Sequence, residues 1–190
     1  MFWKQLFDYI FALILLIVLV GLIFCMILIA TIDTKEFGLF KQNRVGQFGK
    51  SFKIYKIRTM KGVQHSTITT HSHRITRIGK FLRDYKLDEL PQLFNILMGD
   101  MSFVGPRPDV EGYADRLKGQ DRIILQVKPG ITGPAQLKYR NEEQILSMVE
   151  HPIEYNDEVI WPDKVNINKE YVENWTFQKD LYYILKTVLK

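Results

Sequence analysis

The sequence predicts an α+β chain, mainly helical, with a membrane-embedded N-terminal helix followed by a domain of amphipathic interfacial helices and one small β-hairpin. Three observations predict it: an uncharged apolar run at residues 10–32, an abrupt positive block at 35–86, and helical periodicity recurring in short pieces from residue 74 onward. A chain of 190 residues can bury one proper core and is short for a second independent domain. The expected division is a membrane-embedded segment at 1–34 and a cytoplasmic interfacial domain at 35–190, forming one structural unit with the anchor.

The run IFALILLIVLVGLIFCMILIATI contains neither charge nor proline. As a helix it extends roughly 35 Å, more than the ~30 Å of a hydrocarbon core. A signal peptide would have a shorter apolar core and a small-residue cleavage site, whereas Asp33, Lys35 and Glu36 follow here, so the segment reads as a retained anchor. Cys25, the only cysteine, lies inside it and has no disulfide partner; the cysteine-free remainder fits a cytoplasmic setting.

Residues 35–86 hold 13 Lys or Arg against two acids, Glu36 and Asp84, a charge of +11, whereas residues 87–190 hold 12 against 17, or −5. Positive charge directly after a membrane segment predicts the cytoplasmic face and attraction to anionic headgroups or phosphates. Nucleic acid is not expected as a partner, because aromatic residues are sparse in the block and the chain is anchored.

Residues 37–60 carry short β-branched and aromatic runs around Gly46 and Gly49, which predicts a hairpin. GQFGKS there lacks the first glycine of a phosphate-binding loop, since Arg44 takes its place. The polar loop 61–73 contains His65, His71 and His73; no nearby acid or cysteine completes a metal-ligand set. Across 74–86, basic residues recur every third position opposite Ile75, Ile78, Phe81, Leu82 and Tyr85. That pattern predicts an amphipathic helix lying in the membrane interface. Leu90, Leu93, Phe94, Leu97 and Met98 predict a short helix ended by Gly99, and FQKDLYYILKTVLK predicts a C-terminal one. Between them, the Gly- and Pro-dense stretches 99–110 and 127–137 read as ordered binding loops.

Asp88 and Glu89 stand just before Pro91 and the second periodic run. Acids at a helix start complement its dipole and cap free N–H groups, so the pair has a purely structural explanation. Its neighbours open another. Arg83 and Arg107, the latter between two prolines, are candidate clamps for a diphosphate. Such a substrate brings Mg²⁺, which takes one or two carboxylates together with phosphate oxygens. A carboxylate can also attack phosphorus and form an acyl phosphate.

Three blocks, FKIYKIRTM (52–60), TRIGKFLRDYKLDELPQLFNILMGDMSFVGPRP (76–108) and KPGITGPAQ (128–136), resemble the bacterial sugar transferase family, the monotopic phosphoglycosyl transferases. The resemblance runs from about Lys4 to the C-terminus. It implies transfer of a sugar 1-phosphate from a UDP-sugar to a polyprenol phosphate such as undecaprenyl phosphate, which initiates bacterial glycoconjugate assembly at the cytoplasmic face of the inner membrane. It further implies that Asp88 is the nucleophile and carries a covalent phosphosugar, and that Glu89 is the Mg²⁺ ligand. Lys56 would neighbour the nucleophile, and Arg83 and Arg107 would contact phosphate. The family's anchor is re-entrant at a Ser-Pro break, where this chain has Val20 and Gly21, and the resemblance implies a re-entrant rather than a spanning segment here as well. A second departure is Pro134 with LKYRN (137–141) and the stretch at 151–164, which bears on the sugar or nucleotide pocket.

Two other classes remain for comparison. A non-catalytic basic module would bind anionic lipid or nucleic acid with strong salt dependence and would release no UMP. Glycoside hydrolysis fits poorly, because adjacent residues cannot readily flank a sugar ring from carboxylates ~5 Å or more apart.

Overall fold

The computed structural model describes residues 2–62 and 75–189, so His65, His71, His73 and the loop that carries them lie outside the described residues. Contacts divide these residues into two units: 2–43, 52–62 and 75–101 form the first, and 44–51 with 102–189 form the second.

The first unit is built on α1 (Phe2–Thr34), whose 33 residues rise about 50 Å. It is the one helix among the described residues long and apolar enough to cross a membrane. No interruption marks Val20 and Gly21, because glycine, unlike proline, keeps its N–H in the helical ladder. Lys4, Asp8, Ala12, Met26, Ala30 and Thr34 are buried along one stripe, while Leu13, Ile17, Val18 and Phe24 stand exposed. An apolar face left open over this length is what a lipid-facing helix requires. Lys35, in the left-handed region at φ 59°, ends the helix. Just beyond, the Gly38 N–H donates to Thr31 Oγ1 at 2.8 Å.

Strands β1 (Leu39–Val45) and β2 (Ser51–Ile57) form the expected hairpin. GQFGKS supplies its turn, closed by the Gly46 N–H on the Lys50 carbonyl at 2.8 Å, with Gly49 at φ 77° where a Cβ would be strained.

The helix expected over 74–86 is shorter at both ends. Ile75 is instead bridged in antiparallel fashion to Met60, and Thr76 caps α2 (Arg77–Asp84) by accepting from the Gly79 N–H at 2.8 Å. Gly79 lies so close to the Thr59 carbonyl that any Cβ would collide with it. At the other end Lys86 turns left-handed at φ 57°. A short 3₁₀ turn, Leu87–Glu89, follows, and then Pro91 and α3 (Gln92–Leu97), which Gly99 at φ 85° closes.

Helix α3 packs on α1 and is tied to the hairpin by a fully buried amide. Asn95 Nδ2 donates to the Lys53 carbonyl at 2.7 Å, and its Oδ1 accepts from the Tyr55 N–H at 3.1 Å. The side chain thus closes the free edge of β2 as a third strand would.

In the second unit, β3 (Ser102–Val104) pairs in parallel with β4 (Gly130–Thr132), Ser102 opposite Gly130 and Val104 opposite Thr132. Val45, Ala114, Ile124, Leu125 and Val165 form a core cluster. Helix α4 (Trp161–Glu173) follows a π turn at Asn156–Ile160, and α5 (Phe177–Val188) packs against β3 and β4. Between α4 and α5 the buried Asp180 accepts from Tyr171 Oη at 2.6 Å and Trp175 Nε1 at 2.9 Å. The amphipathic C-terminal helix is present as expected, yet Leu185 and Val188 face outward and Asp180 inward. Its polar tie, not its apolar stripe, fixes the packed side.

The loop 105–109 is held by hydrogen bonds from both sides. Gly130 N–H donates to the Pro106 carbonyl at 2.8 Å, Val45 N–H to the Asp109 carbonyl at 2.8 Å, and Arg44 Nη1 to the Pro108 carbonyl at 3.2 Å. It borders a narrow cleft lined by Gly46, Arg107, Asp109, Leu125 and Pro129. Burial pushes the Asp109 carboxyl up from an ordinary 3.8 to about 6, against the pull of Lys164, Arg44 and Arg107.

Two outcomes follow. Asn95→Ala leaves the Tyr55 N–H and the Lys53 carbonyl without this partner and costs about 3 kcal/mol, read as a lowered thermal midpoint in detergent micelles. Because the folded Asp109 holds its proton to higher pH than the unfolded chain, its contribution to stability is full below pH 3.8 and is lost as pH rises through about 6. The loss is on the order of 2 kcal/mol, and comparing unfolding curves at pH 4 and 6.5 should show this component in the wild type and not in Asp109→Asn.

Candidate functional site

The first unit brings four of the five expected site residues together. Lys56 comes from β2, Arg83 from the last turn of α2, and Asp88 and Glu89 from the 3₁₀ turn that joins α2 to α3. Local chemistry dictates that arrangement. Lys86 reverses the chain, the 3₁₀ turn Leu87–Glu89 follows at once, and Pro91 arrives with φ already near its helical value. The two acids therefore sit ahead of the α-helix rather than on it, and neither helix-start position around them has a side-chain capping bond.

Both carboxylates are buried, Asp88 with 8% and Glu89 with 6% of their surface exposed. Charges so placed need partners. Glu89 has one: Lys56 Nζ donates to its Oε1 at 3.2 Å. Asp88 is different, because its Oδ1 is buried with no hydrogen-bond partner among the described residues. Burial first, and the Glu89 charge second, push the Asp88 carboxyl above the usual carboxylate range; Lys56, Lys86 and Arg83 pull the other way. Arg83 is held in place, its Nε on Thr59 Oγ1 at 2.9 Å and its Nη2 on Met60 Sδ at 3.3 Å.

An unsatisfied carboxylate oxygen in a ring of cations is a poor stabiliser and a good reagent. It can accept a metal ion, a proton or an electrophilic phosphorus. Hard oxygen donors on adjacent residues suit Mg²⁺ that also takes phosphate oxygens. Among the described residues no cluster of three metal-ligating side chains exists, so a cation held here would need substrate oxygens to complete its shell.

Arg107 belongs to the second unit, on the pinned loop 105–109. The two stretches that depart from the family pattern meet each other in that unit. Asp163 Oδ2 accepts from Lys138 Nζ at 2.7 Å and Tyr139 Oη at 2.6 Å, and Lys164 Nζ donates to Glu142 Oε2 at 2.6 Å. Sequence reasoning missed Thr59, which holds Arg83, and Lys86, which acts on Asp88. Thr59 carries no signal in sequence, whereas Lys86 was visible two residues ahead of the pair as one more member of a basic repeat.

Comparison with known proteins identifies the family. The profile of the bacterial sugar transferase family matches residues 1–190. The chain is 33% identical over 192 residues to UDP-glucose:undecaprenyl-phosphate glucose-1-phosphate transferase of Escherichia coli, covering 96% of this chain and 39% of that protein. It is 35% identical over 192 residues to the uncharacterized sugar transferase EpsL of Bacillus subtilis, covering 100% of this chain and 87% of that one. With undecaprenyl-phosphate galactose phosphotransferase of Salmonella typhimurium it shares 32% over 207 residues, 98% of this chain and 40% of the relative. It thus spans about two-fifths of the length of the Escherichia and Salmonella proteins and most of the Bacillus one. On that match, and on the three sequence blocks that run through the site, the chain belongs to the bacterial sugar transferase family.

Proposed function

We propose that the chain transfers a sugar 1-phosphate from a UDP-sugar to a polyprenol phosphate, undecaprenyl phosphate in bacteria, through a phosphosugar carried on Asp88. The observation that carries this reading is the buried, unpartnered Oδ1 of Asp88 among Lys56, Arg83 and Lys86. Relatives named as undecaprenyl-phosphate sugar phosphotransferases support the two substrates.

In the first step an Asp88 oxygen attacks the sugar-bearing phosphorus of the donor; the bond to the bridging oxygen breaks, and UMP leaves with its electron pair. In the second, an oxygen of the acceptor phosphate attacks the same phosphorus, and the Asp88 carboxylate leaves. Desolvation raises the ground-state energy of the attacking carboxylate, and the surrounding cations stabilise the negative oxygens of the transferred group. Lys56 orients Glu89, and Arg83, fixed by Thr59, presents donors to phosphate. Glu89 would hold Mg²⁺, which when bound offsets diphosphate charge. Arg107, carried on a loop with little freedom, would contact the donor.

The same reading places the chain in the bacterial inner membrane with its catalytic part cytoplasmic. Helix α2 exposes Ile78, Phe81 and Tyr85, an apolar face flanked by Arg77 and Lys80 that suits a headgroup layer.

The test incubates membranes with a panel of UDP-sugars, undecaprenyl phosphate and Mg²⁺ and measures UMP. Asp88→Asn should lower turnover about 10³-fold or more, and Glu89→Gln should also be nearly inactive. Asp88→Asn should melt higher than the wild type, because it removes a buried charge that the fold leaves unsatisfied. Retention of most activity in Asp88→Asn would exclude the covalent route, and absence of UMP with every donor would leave only a lipid-binding module.

A further inference from the structure

Of the three cations that act on Asp88, two are already engaged: Lys56 with Glu89, and Arg83 with Thr59 and Met60. Lys86 is not, and its exposed ammonium makes no hydrogen bond or ion pair among the described residues. Its backbone sits at φ 57°, a left-handed conformation that glycine adopts freely and that costs a lysine roughly 1 kcal/mol. Nothing in the local fold calls for a long cationic side chain there, and a glycine would serve the turn better.

The surroundings say what such a cation could meet. Lys86 follows Tyr85, which is 62% exposed and rests on Phe81 with ring centroids 4.8 Å apart. The chain from that apolar face to the buried carboxylate is only Lys86 and Leu87. A ligand arriving along the apolar face with an anionic head thus meets Lys86 before it meets Asp88, and a lipid phosphate has that chemistry. The donor, whose nucleoside is polar, has no such reason to cross exposed aromatic surface.

We propose that Lys86 binds the phosphate of the lipid acceptor and holds it beside Asp88 for the second step. This rests on the transfer reading above. The ammonium pairs with acceptor phosphate oxygens, lowering repulsion between that anion and the charged group on Asp88, while one acceptor oxygen forms the new bond to phosphorus and the Asp88 oxygen departs. Lys86 takes no proton and forms no bond.

Steady-state kinetics on full-length protein in nanodiscs tests it, with donor and acceptor varied separately in wild type, Lys86→Gln, Lys86→Gly and Lys86→Arg. The Gln and Gly variants should raise the acceptor KM by about tenfold or more, with the donor KM within about twofold; Lys86→Arg should stay near wild type. Lys86→Gly should also melt at or above the wild-type temperature, as relief of the left-handed backbone requires, which separates lost binding from lost folding. An unchanged acceptor KM in both Gln and Gly variants overturns the proposal. So does a parallel rise of both KM values, which would assign Lys86 to the donor diphosphate. Wild-type protein that releases no UMP from any donor would instead overturn the transfer reading, a result obtained before any variant is made.

Discussion

Two hydrogen bonds from one buried amide hold the geometry on which the site depends. Asn95 ties α3 to Lys53 and Tyr55 of β2, and so sets the height of Lys56 relative to the turn that carries Glu89. A hydrophobic residue of similar size could fill the space but could not fix register, because apolar contact is non-directional. A strand slip of one residue would send Lys56 to the opposite face of the hairpin. The amide satisfies donor and acceptor on neighbouring backbone groups, a match only one register provides.

With Lys56 placed, the electrostatics of the pair become asymmetric. Two adjacent buried carboxylates repel each other, and desolvation opposes ionisation of both. Glu89 is compensated by a direct contact of 3.2 Å; Asp88 receives only the longer-range pull of three cations and retains an oxygen without a partner. The fold keeps this unsatisfied group at a cost in stability, the trade expected where a side chain must react rather than rest.

Much of this was legible in the sequence. The anchor, the hairpin around Gly46 and Gly49, the helix before Gly99 and the C-terminal helix follow from composition and period, and their residues impose local conformations that packing does not override. The basic helix was legible as a face and not as a span, because Ile75 gains more from bridging Met60 than from extending α2, and a lone lysine gives no sign that it will turn left-handed. Asn95 looked like any polar residue in a helix. Its role depends on the edge of a strand some forty residues away, which no local pattern reports. Asp109 was equally silent, since its shift arises from burial that outweighs the pull of Lys164, Arg44 and Arg107, and that burial exists only once the chain has folded.

The first unit carries both α1 and the carboxylates, and that shared membership constrains the chemistry. Helix α3 packs on α1, and the turn that bears the two acids leads directly into α3, so on the proposed membrane location the depth of Asp88 is set by packing within a single unit. On the proposed route this matters more than closeness of the two substrates to each other. A group parked on Asp88 lets a water-borne donor leave before a lipid-borne acceptor attacks, so the site need satisfy only one phosphate-bearing partner at a time. A carboxylate at fixed depth beside an exposed aromatic face can serve both partners in turn, whereas direct transfer would require both anions to share one ring of cations at once.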